Sequence, residues 1–409
     1  MRQLPRIDGT MFPANTRKDI ALFWVKYWCC FFLLLPWMLL RQVFLSAQQA
    51  LAALWTWNRR VDLFGGSLRL VFMNNLLSVA VTTLFGERFT AIQYKDVLID
   101  PGPVFGRHRL RRYLDEVETG IHAVVATHAH EEHVGNTALA ARSTGAPVYG
   151  TAVTLAAIRS PEQLSFARRA FIGQPEGVES IELRELAEVV ETEQARLQII
   201  ESPGHCEGHA SLFDPDCGVL FAGDSFLHTV FTAPNQDVSA EEWIATLERY
   251  QQWAIRTMVG THGYVYTTDD SVPHLPFVTK RADPNKRIQD KCDFLKWARA
   301  VVAEGERRGL PYSVIEACLF PWQRWWAWHN WFTDESGRLF SAGEFSRTHF
   351  VRSLSRTPER VPQRFPPFAR LAGWIARGVS RRAATYRRSN AMDSDAKRRR
   401  GSSAPRSPS

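Results

Sequence analysis

Within Thr127-His128-Ala129-His130-Glu131-Glu132-His133-Val134-Gly135-Asn136, three imidazoles and two carboxylates fall inside six residues. Neutral imidazole nitrogens and carboxylate oxygens are ligands for zinc, and also for manganese and iron. A lone loop histidine is ordinarily satisfied by backbone or water. Three so close together, with acidic neighbours, point instead to a metal. In an extended turn His128 and His130 point the same way, because side chains alternate with period two. Glu132 and His133 begin the next element and face a second position, so one strand end can serve two ions.

The cluster needs an element to carry it. Ala123-Val124-Val125-Ala126 is a short, apolar, partly β-branched run and reads as a buried strand that ends where the polar residues begin. Three later stretches repeat this arrangement: Ser202-Pro203-Gly204-His205-Cys206-Glu207-Gly208-His209, Phe221-Ala222-Gly223-Asp224-Ser225, and Val259-Gly260-Thr261-His262-Gly263. Each sets candidate ligands at the end of an apolar strand, with glycines that let the backbone turn closely around an ion.

Strands are further expected at Leu68–Phe72, Leu77–Val81, Asp96–Gly102, Leu197–Ile200 and Gly218–Phe221. Helices are expected from Ser160-Pro161, from the capping box Ser239-x-x-Glu242 with Trp243, Leu247, Tyr250 and Ala254 on one face, and from Asp283-Pro284. The Asp283-Pro284 helix carries Ile288, Cys292, Leu295 and Val302 on one side and closes at Gly305, and Ser341-x-x-Glu344 caps another. This alternation over residues 61–275 argues an α/β domain.

With five ordered motifs in place, the chain resembles the metallo-β-lactamase-fold hydrolase superfamily, particularly its glyoxalase II and acyl-homoserine lactonase branch. The resemblance covers residues 61–275 and extends towards 355. It implies a four-layered αβ/βα sandwich with two metals at one edge of the sheets. It also implies that His128, His130 and His205 hold one metal, that Glu132, His133 and His262 hold the other, and that Asp224 bridges them. Asp100 and His209 match supporting positions. Glu132 departs from the family, which usually has Asp there, and its added methylene lengthens the reach. Zinc, two per chain, is the default ion, with manganese or iron as alternatives.

Two cations that share a water lower its pKa towards about 7, which makes hydroxide available at neutral pH. The expected activity is therefore dinuclear hydrolysis of a thioester, lactone or other carboxylic ester by a metal-bridging hydroxide, with Asp224 and Glu132 as catalytic residues. Asp224, besides bridging, can take the hydroxide's proton. A phosphodiester or lipid hydrolase on the same site is one alternative. A membrane-attached scaffold that keeps the fold without catalysis, Glu132 marking a degraded site, is another. Only 38 positions separate Asp224 from His262, too few for the extra domain that the superfamily's nucleases often carry there.

The chain has 409 residues, 45% of them hydrophobic, enough for a sizeable core. The net charge is +8, but from Val351 onward 15 Arg or Lys face only Glu359, Asp393 and Asp395. The basic balance thus belongs to a tail and not to the catalytic body, and nothing specific selects nucleic acid. Six cysteines (Cys29, Cys30, Cys206, Cys217, Cys292 and Cys318) include no CxxC pair and read as free thiols; Cys206, beside His205, reads as a space-filling residue, with a reactive thiol or metal ligand as the alternative.

Residues 20–40 form an apolar run interrupted by Lys26 and Pro36, with Trp24, Tyr27, Trp28 and Trp37 suited to interfacial depth. This is a membrane-anchor candidate, and the cytoplasmic face of the cell membrane is the expected location. Phe320 to Phe332 holds five of 14 tryptophans and reads as a packed helical lobe over 276–355. The basic tail, 356–409, is expected to be largely disordered from Ser389. Phe368, Leu371, Trp374, Ile375 and Val379 in it form one apolar side suited to an anionic lipid surface. An acyl or lipid-like substrate follows from this setting.

Overall fold

The computed structural model describes residues 4–361 except 9, 119, 179–180, 231–234 and 341–344. Two seven-stranded sheets form the centre. The first runs in chain order: β1 (Arg60–Leu63), β2 (Leu68–Phe72), β3 (Thr90–Tyr94), β4 (Val97–Ile99), β5 (Ala123–Val125), β6 (Val148–Gly150) and β7 (Leu183–Glu185). The second comprises β8 (Val189–Glu191), β9 (Arg196–Glu201), β10 (Ala210–Asp214), β11 (Val219–Gly223), β12 (Thr257–Gly260), β13 (Tyr264–Thr267) and β14 (Thr279–Arg281), in the spatial order 14 to 8.

Alternating side chains divide each sheet between two cores. Val97, Ile99, Ala123 and Val125 meet Val219, Phe221, Val259 and Val265 between the sheets. Leu98 and Val124 turn the other way, towards Leu110, Tyr113, Ala138 and Leu155. These last belong to α3 (Arg107–Glu116), α5 (Thr137–Thr144) and α6 (Ala152–Arg159), which follow α1 (Arg17–Trp55) and α2 (Leu76–Phe85) and flank the short α4 (Glu131–Val134). Beyond α7 (Phe166–Phe171), the outer face of the second sheet is covered by α8 (Ala240–Tyr250), α9 (Pro284–Arg307), α10 (Tyr312–Leu319) and α12 (Arg347–Leu354), with α11 (Trp325–Phe340) between the last two. One core cluster joins Leu220 and Ala222 to Trp243, Leu247, Leu295 and Phe350. The layers are α, β, β and α, the sandwich that the resemblance implies, and the Asp283-started helices close it on one side.

Several local expectations change. Leu77–Val81 is helical: Asn75 accepts from the Ser78 N–H while the Ser78 side chain accepts from the Asn75 N–H, a capping box that starts α2. A five-residue stretch with four apolar members carries too little period to separate strand from helix. Ser160 ends α6, its N–H donating to the Ala156 carbonyl, and Pro161 follows as a stop signal; the next helix, α7, is capped by Ser165. Ala254 lies beyond α8, which ends at Tyr250.

Gly305 stays inside α9, where a Cβ would come within 2.6 Å of Ile315 Cγ1, so its role is close approach to α10. The left-handed residue is Gly309, at φ +66°. Ser341 and Glu344 lie outside the described residues, as does everything expected of the tail from 362; α12 is capped by Ser346. The apolar run at 20–40 is the middle of a 39-residue helix that contains Pro36. Trp322 and Trp328 from the tryptophan-rich stretch are buried against Met38 of α1.

Candidate metal centre

β5 ends at Val125, and the polar stretch leaves the sheet edge as predicted. Asp100 follows β4 in a left-handed turn, at φ +47°, and its carboxylate accepts from the Thr127 N–H at 2.8 Å and the Thr127 hydroxyl at 2.7 Å. The hydroxyl has only that one proton. His128 Nδ1, 2.9 Å from the same oxygen, therefore donates to it, and His128 Nε2 is left with its lone pair facing inward. His262 is fixed likewise: Nδ1 lies 2.7 Å from the Arg88 carbonyl, which can only accept, so Nε2 also faces inward.

The inward nitrogens surround one atom. Asp224 Oδ2 lies 3.5 Å from the Nε2 atoms of His133, His205 and His262, and 4.0 Å from that of His128. His130 Nδ1 lies 3.1 Å from His128 Nε2 and 3.2 Å from His205 Nε2. Three groups of ligand atoms, each within 4.8 Å of one another, result: His128, His130, His205 and Cys206; Asp100, His128 and His133; and His133, Asp224 and His262. Among the expected ligands, six converge.

Glu132 does not join these groups. It is the second residue of α4, and successive helical side chains point about 100° apart. With His133 turned to Asp224, Glu132 is turned aside, partly exposed, with Oε1 4.0 Å from His130 Nδ1. Glu131 is taken up elsewhere, in a two-point pair with Arg168 Nε at 2.6 Å and Nη2 at 2.5 Å that ties α4 to α7.

Burial opposes charge on every buried imidazole here. It holds His128 and His205 well below the ordinary histidine range. For His133 and His262 burial is outweighed by Asp224, joined at His133 by Asp100 and at His262 by Glu87, and both are raised. Burial would raise the Asp224 carboxyl, but the surrounding histidines, His133 first, hold it well below the carboxylate range. Both ring nitrogens of His133, and Nδ1 of His205, are buried without a hydrogen-bond partner. Buried polar atoms are rarely left so. Divalent cations would satisfy this donor set of imidazoles around one shared carboxylate, and the residues fit them.

His209 supports the centre from behind. The Asp224 N–H donates to its Nε2 at 3.0 Å, and its Nδ1 faces Ser202 Oγ at 2.7 Å. Cys206, read first as a space-filling residue with a ligand role as the alternative, falls within a ligand group. Three participants were not anticipated: Thr127 as the link between Asp100 and His128, the Arg88 carbonyl behind His262, and Glu87. Burial pushes Glu87 up to about 6 against the opposing pull of His262, with Glu132 and Asp224 adding to the rise. Thr127 opens the motif and was readable from position; the region of Glu87 and Arg88 carries no sequence signal.

The family model of the metallo-beta-lactamase superfamily matches residues 95–262, a span that begins before Asp100 and ends on His262. This stretch is similar to the metallo-beta-lactamase superfamily. Proteins of that superfamily are typically metal-dependent hydrolases, and the match selects no branch within it. Similar solved structures include a metallo-beta-lactamase family protein from Thermus thermophilus, at 19% identity over 66% of this chain and 94% of that one, with a TM-score of 0.45. A beta-lactamase domain protein from Burkholderia ambifaria has 14% identity over 68% and 90%, with a TM-score of 0.45. A metallo-beta-lactamase from Pontibacter korlensis has 15% identity over 58% and 98%, with a TM-score of 0.38.

Proposed function

We propose that the chain hydrolyses a carboxylic ester, thioester or lactone at a dinuclear centre, with zinc as the first-choice ion. The observation that carries this reading is the position of Asp224 Oδ2, shared by four histidine Nε2 atoms at 3.5–4.0 Å. His128, His130 and His205 would hold one cation and His133 and His262 the other, with Asp224 placed to serve both. When bound, the cations supply a water of lowered pKa and polarise the substrate carbonyl.

The chain's residues do the rest. Thr127 and the Arg88 carbonyl fix the ring tautomers of His128 and His262. His209 orients the backbone of Asp224, and Asp100 stands behind His133, Oδ2 to Nδ1 at 3.5 Å. Glu132, at the partly exposed side of His130, is assigned proton acceptance at the mouth of the site and not the holding of an ion. The apolar α1 attaches the enzyme to the cytoplasmic face of the cell membrane, which suits an acyl or lipid-like ester.

Metal analysis followed by a panel of thioesters, lactones, phosphodiesters and β-lactams tests the reading. About two ions per chain and turnover of carboxylic esters are expected. Turnover of phosphodiesters alone would overturn the ester assignment. An empty site, with cellular function unaltered in His128→Ala, would leave a non-catalytic scaffold.

A further inference from the structure

The helix α1 is long and apolar enough to cross a bilayer. What flanks it forbids crossing. Before the helix, Phe12 is 5% exposed in the core cluster that contains Trp243 and Val302. The Pro5 carbonyl accepts from Trp297 Nε1 at 2.9 Å, and Asn15 Nδ2 donates to the Gly309 carbonyl at 3.1 Å. After the helix, Val61 and Leu63 of β1 enter the core between the sheets. Both ends are therefore built into the same folded body. A spanning helix would place them on opposite sides of roughly 30 Å of hydrocarbon.

One flank of α1 is also occupied along its length. The rings of Tyr27 and Phe31 lie 5.3 and 5.0 Å from that of Trp322, and Trp328 Nε1 donates to Gln42 Oε1 at 3.2 Å. Further on, Gln49 closes against Gly86, and Ala52 and Ala53 are buried. Lipid cannot surround a helix packed this way.

The other flank is bare and apolar. Val25, Phe32, Leu33, Trp37, Val43 and Phe44 are 59–81% exposed. Leu22 and Leu54 extend the stripe at helical spacing to about 48 Å, well beyond the hydrocarbon thickness. Between Ile20 and Leu54 the only charges are Lys26 and Arg41. Leu76 of α2, which packs on α1, adds a side chain 85% exposed. A stripe of this size is not normal for a surface that meets only water. Exposed Arg17 and Lys18 stand at one end and exposed Arg59 and Arg60 at the other, and residues 362–409 carry 12 Arg or Lys against Asp393 and Asp395. Cations beside an apolar stripe complement an anionic leaflet.

We propose that the chain is monotopic: α1 lies flat in one leaflet, its Val25–Leu54 stripe in the acyl boundary, and never crosses the membrane. This rests on the membrane attachment proposed above and is independent of the chemistry at the metal centre. The arrangement also brings lipid near the site, because α2 leads directly to Arg88, whose carbonyl holds His262.

The full-length chain should float with vesicles of phosphatidylcholine and phosphatidylglycerol, and Phe32→Glu with Phe44→Glu should abolish flotation while the circular dichroism stays unchanged. Nitroxide labels on Val25→Cys, Leu33→Cys, Val43→Cys and Leu54→Cys, with Cys29, Cys30 and Cys217 replaced by serine, report depth. Equal depths of about 5–10 Å below the headgroups are expected for all four. Flotation with depths that peak in mid-helix would overturn the in-plane geometry while leaving attachment intact. No flotation on any vesicle, with a dimer by light scattering, would mean that a second copy covers the stripe and would remove the attachment itself. Ester hydrolysis in detergent is read separately and is moved by neither result.

Discussion

The backbone N–H of Asp224 donates to Nε2 of His209 at 3.0 Å, so a histidine that faces no ligand position fixes the residue shared by four of the others. Gly223 permits this approach, since a Cβ there would fall 2.4 Å from the same nitrogen. In His209→Ala the buried N–H loses its partner, which costs about 1–3 kcal/mol. A lower melting temperature and fewer bound ions per chain are expected. His209→Gln, whose amide oxygen can accept, should recover part of both. Unchanged metal content in His209→Ala would sink the positioning role.

A pH dependence follows from the same contact. To accept, His209 must be neutral, and burial pushes it down to about 4 from an ordinary 6.5. The unfolded chain takes up this proton below pH 6.5, while the folded chain resists until about 4. The stability contribution is thus fully present above pH 6.5 and is lost as pH falls towards 4, about 3 kcal/mol in all. Urea unfolding of metal-stripped protein at two pH values in that window checks it. The loss should shrink in His209→Gln, and an equal loss in both proteins would assign it to other groups.

The two carboxylates expected to serve the metals separate cleanly by substitution. Asp224→Asn removes the charge shared by four imidazoles and should strip both ions, lowering turnover roughly a hundredfold or more. Glu132→Gln should keep both ions and lower turnover by about tenfold or less, within the range for one general base. Metal analysis beside kinetics distinguishes them. Loss of an ion in Glu132→Gln would mean that this side chain swings inward to bind.

How much of this was legible depended on whether a residue's role lay in its own segment. His128, His130, His133, His205, Asp224 and His262 each follow a short apolar run, and a strand end is the same signal in sequence and in space. Glu132 was misplaced because motif spacing says nothing about helical rotation, and α4 turns it away from its neighbour. Leu77–Val81 failed because the run is shorter than either period needs, although Asn75 and Ser78 held the helix signal. The Arg88 carbonyl reaches His262 across 174 positions, and no local pattern encodes such a contact. The apolar run at 20–40 was visible, but which of its flanks packs against Trp322 and Trp328 was not.

Arg168 is the partner that lets Glu131 be 5% exposed beside the metal centre. Arg168→Ala leaves that carboxylate buried without its cation, which costs about 3 kcal/mol, less the part screened at the half-buried guanidinium. Thermal unfolding should show the loss, and Glu131→Gln combined with Arg168→Ala should restore some of it. Additive losses would mean that the pair contributes nothing as a pair.

Gly204 tests whether the loop that carries His205 is held by close packing. Its φ is +130°, and a Cβ would fall 2.3 Å from Trp243 Cα and 2.4 Å from Trp243 N. Its carbonyl accepts the Ser239 N–H at 2.8 Å, the bond on which α8 starts. Gly204→Ala therefore pushes the loop and α8 apart at backbone atoms, which cannot rotate aside as a side chain would. A loss of about 3 kcal/mol or more is expected, with weaker metal retention as His205 is displaced. Gly145→Ala is the control, because Gly145 is also left-handed, at φ +71°, but has nothing within 4 Å of the added carbon. It should cost only about 1 kcal/mol and leave the metals in place. Equal losses in the two variants would show that backbone conformation, and not the approach of Trp243, fixes Gly204.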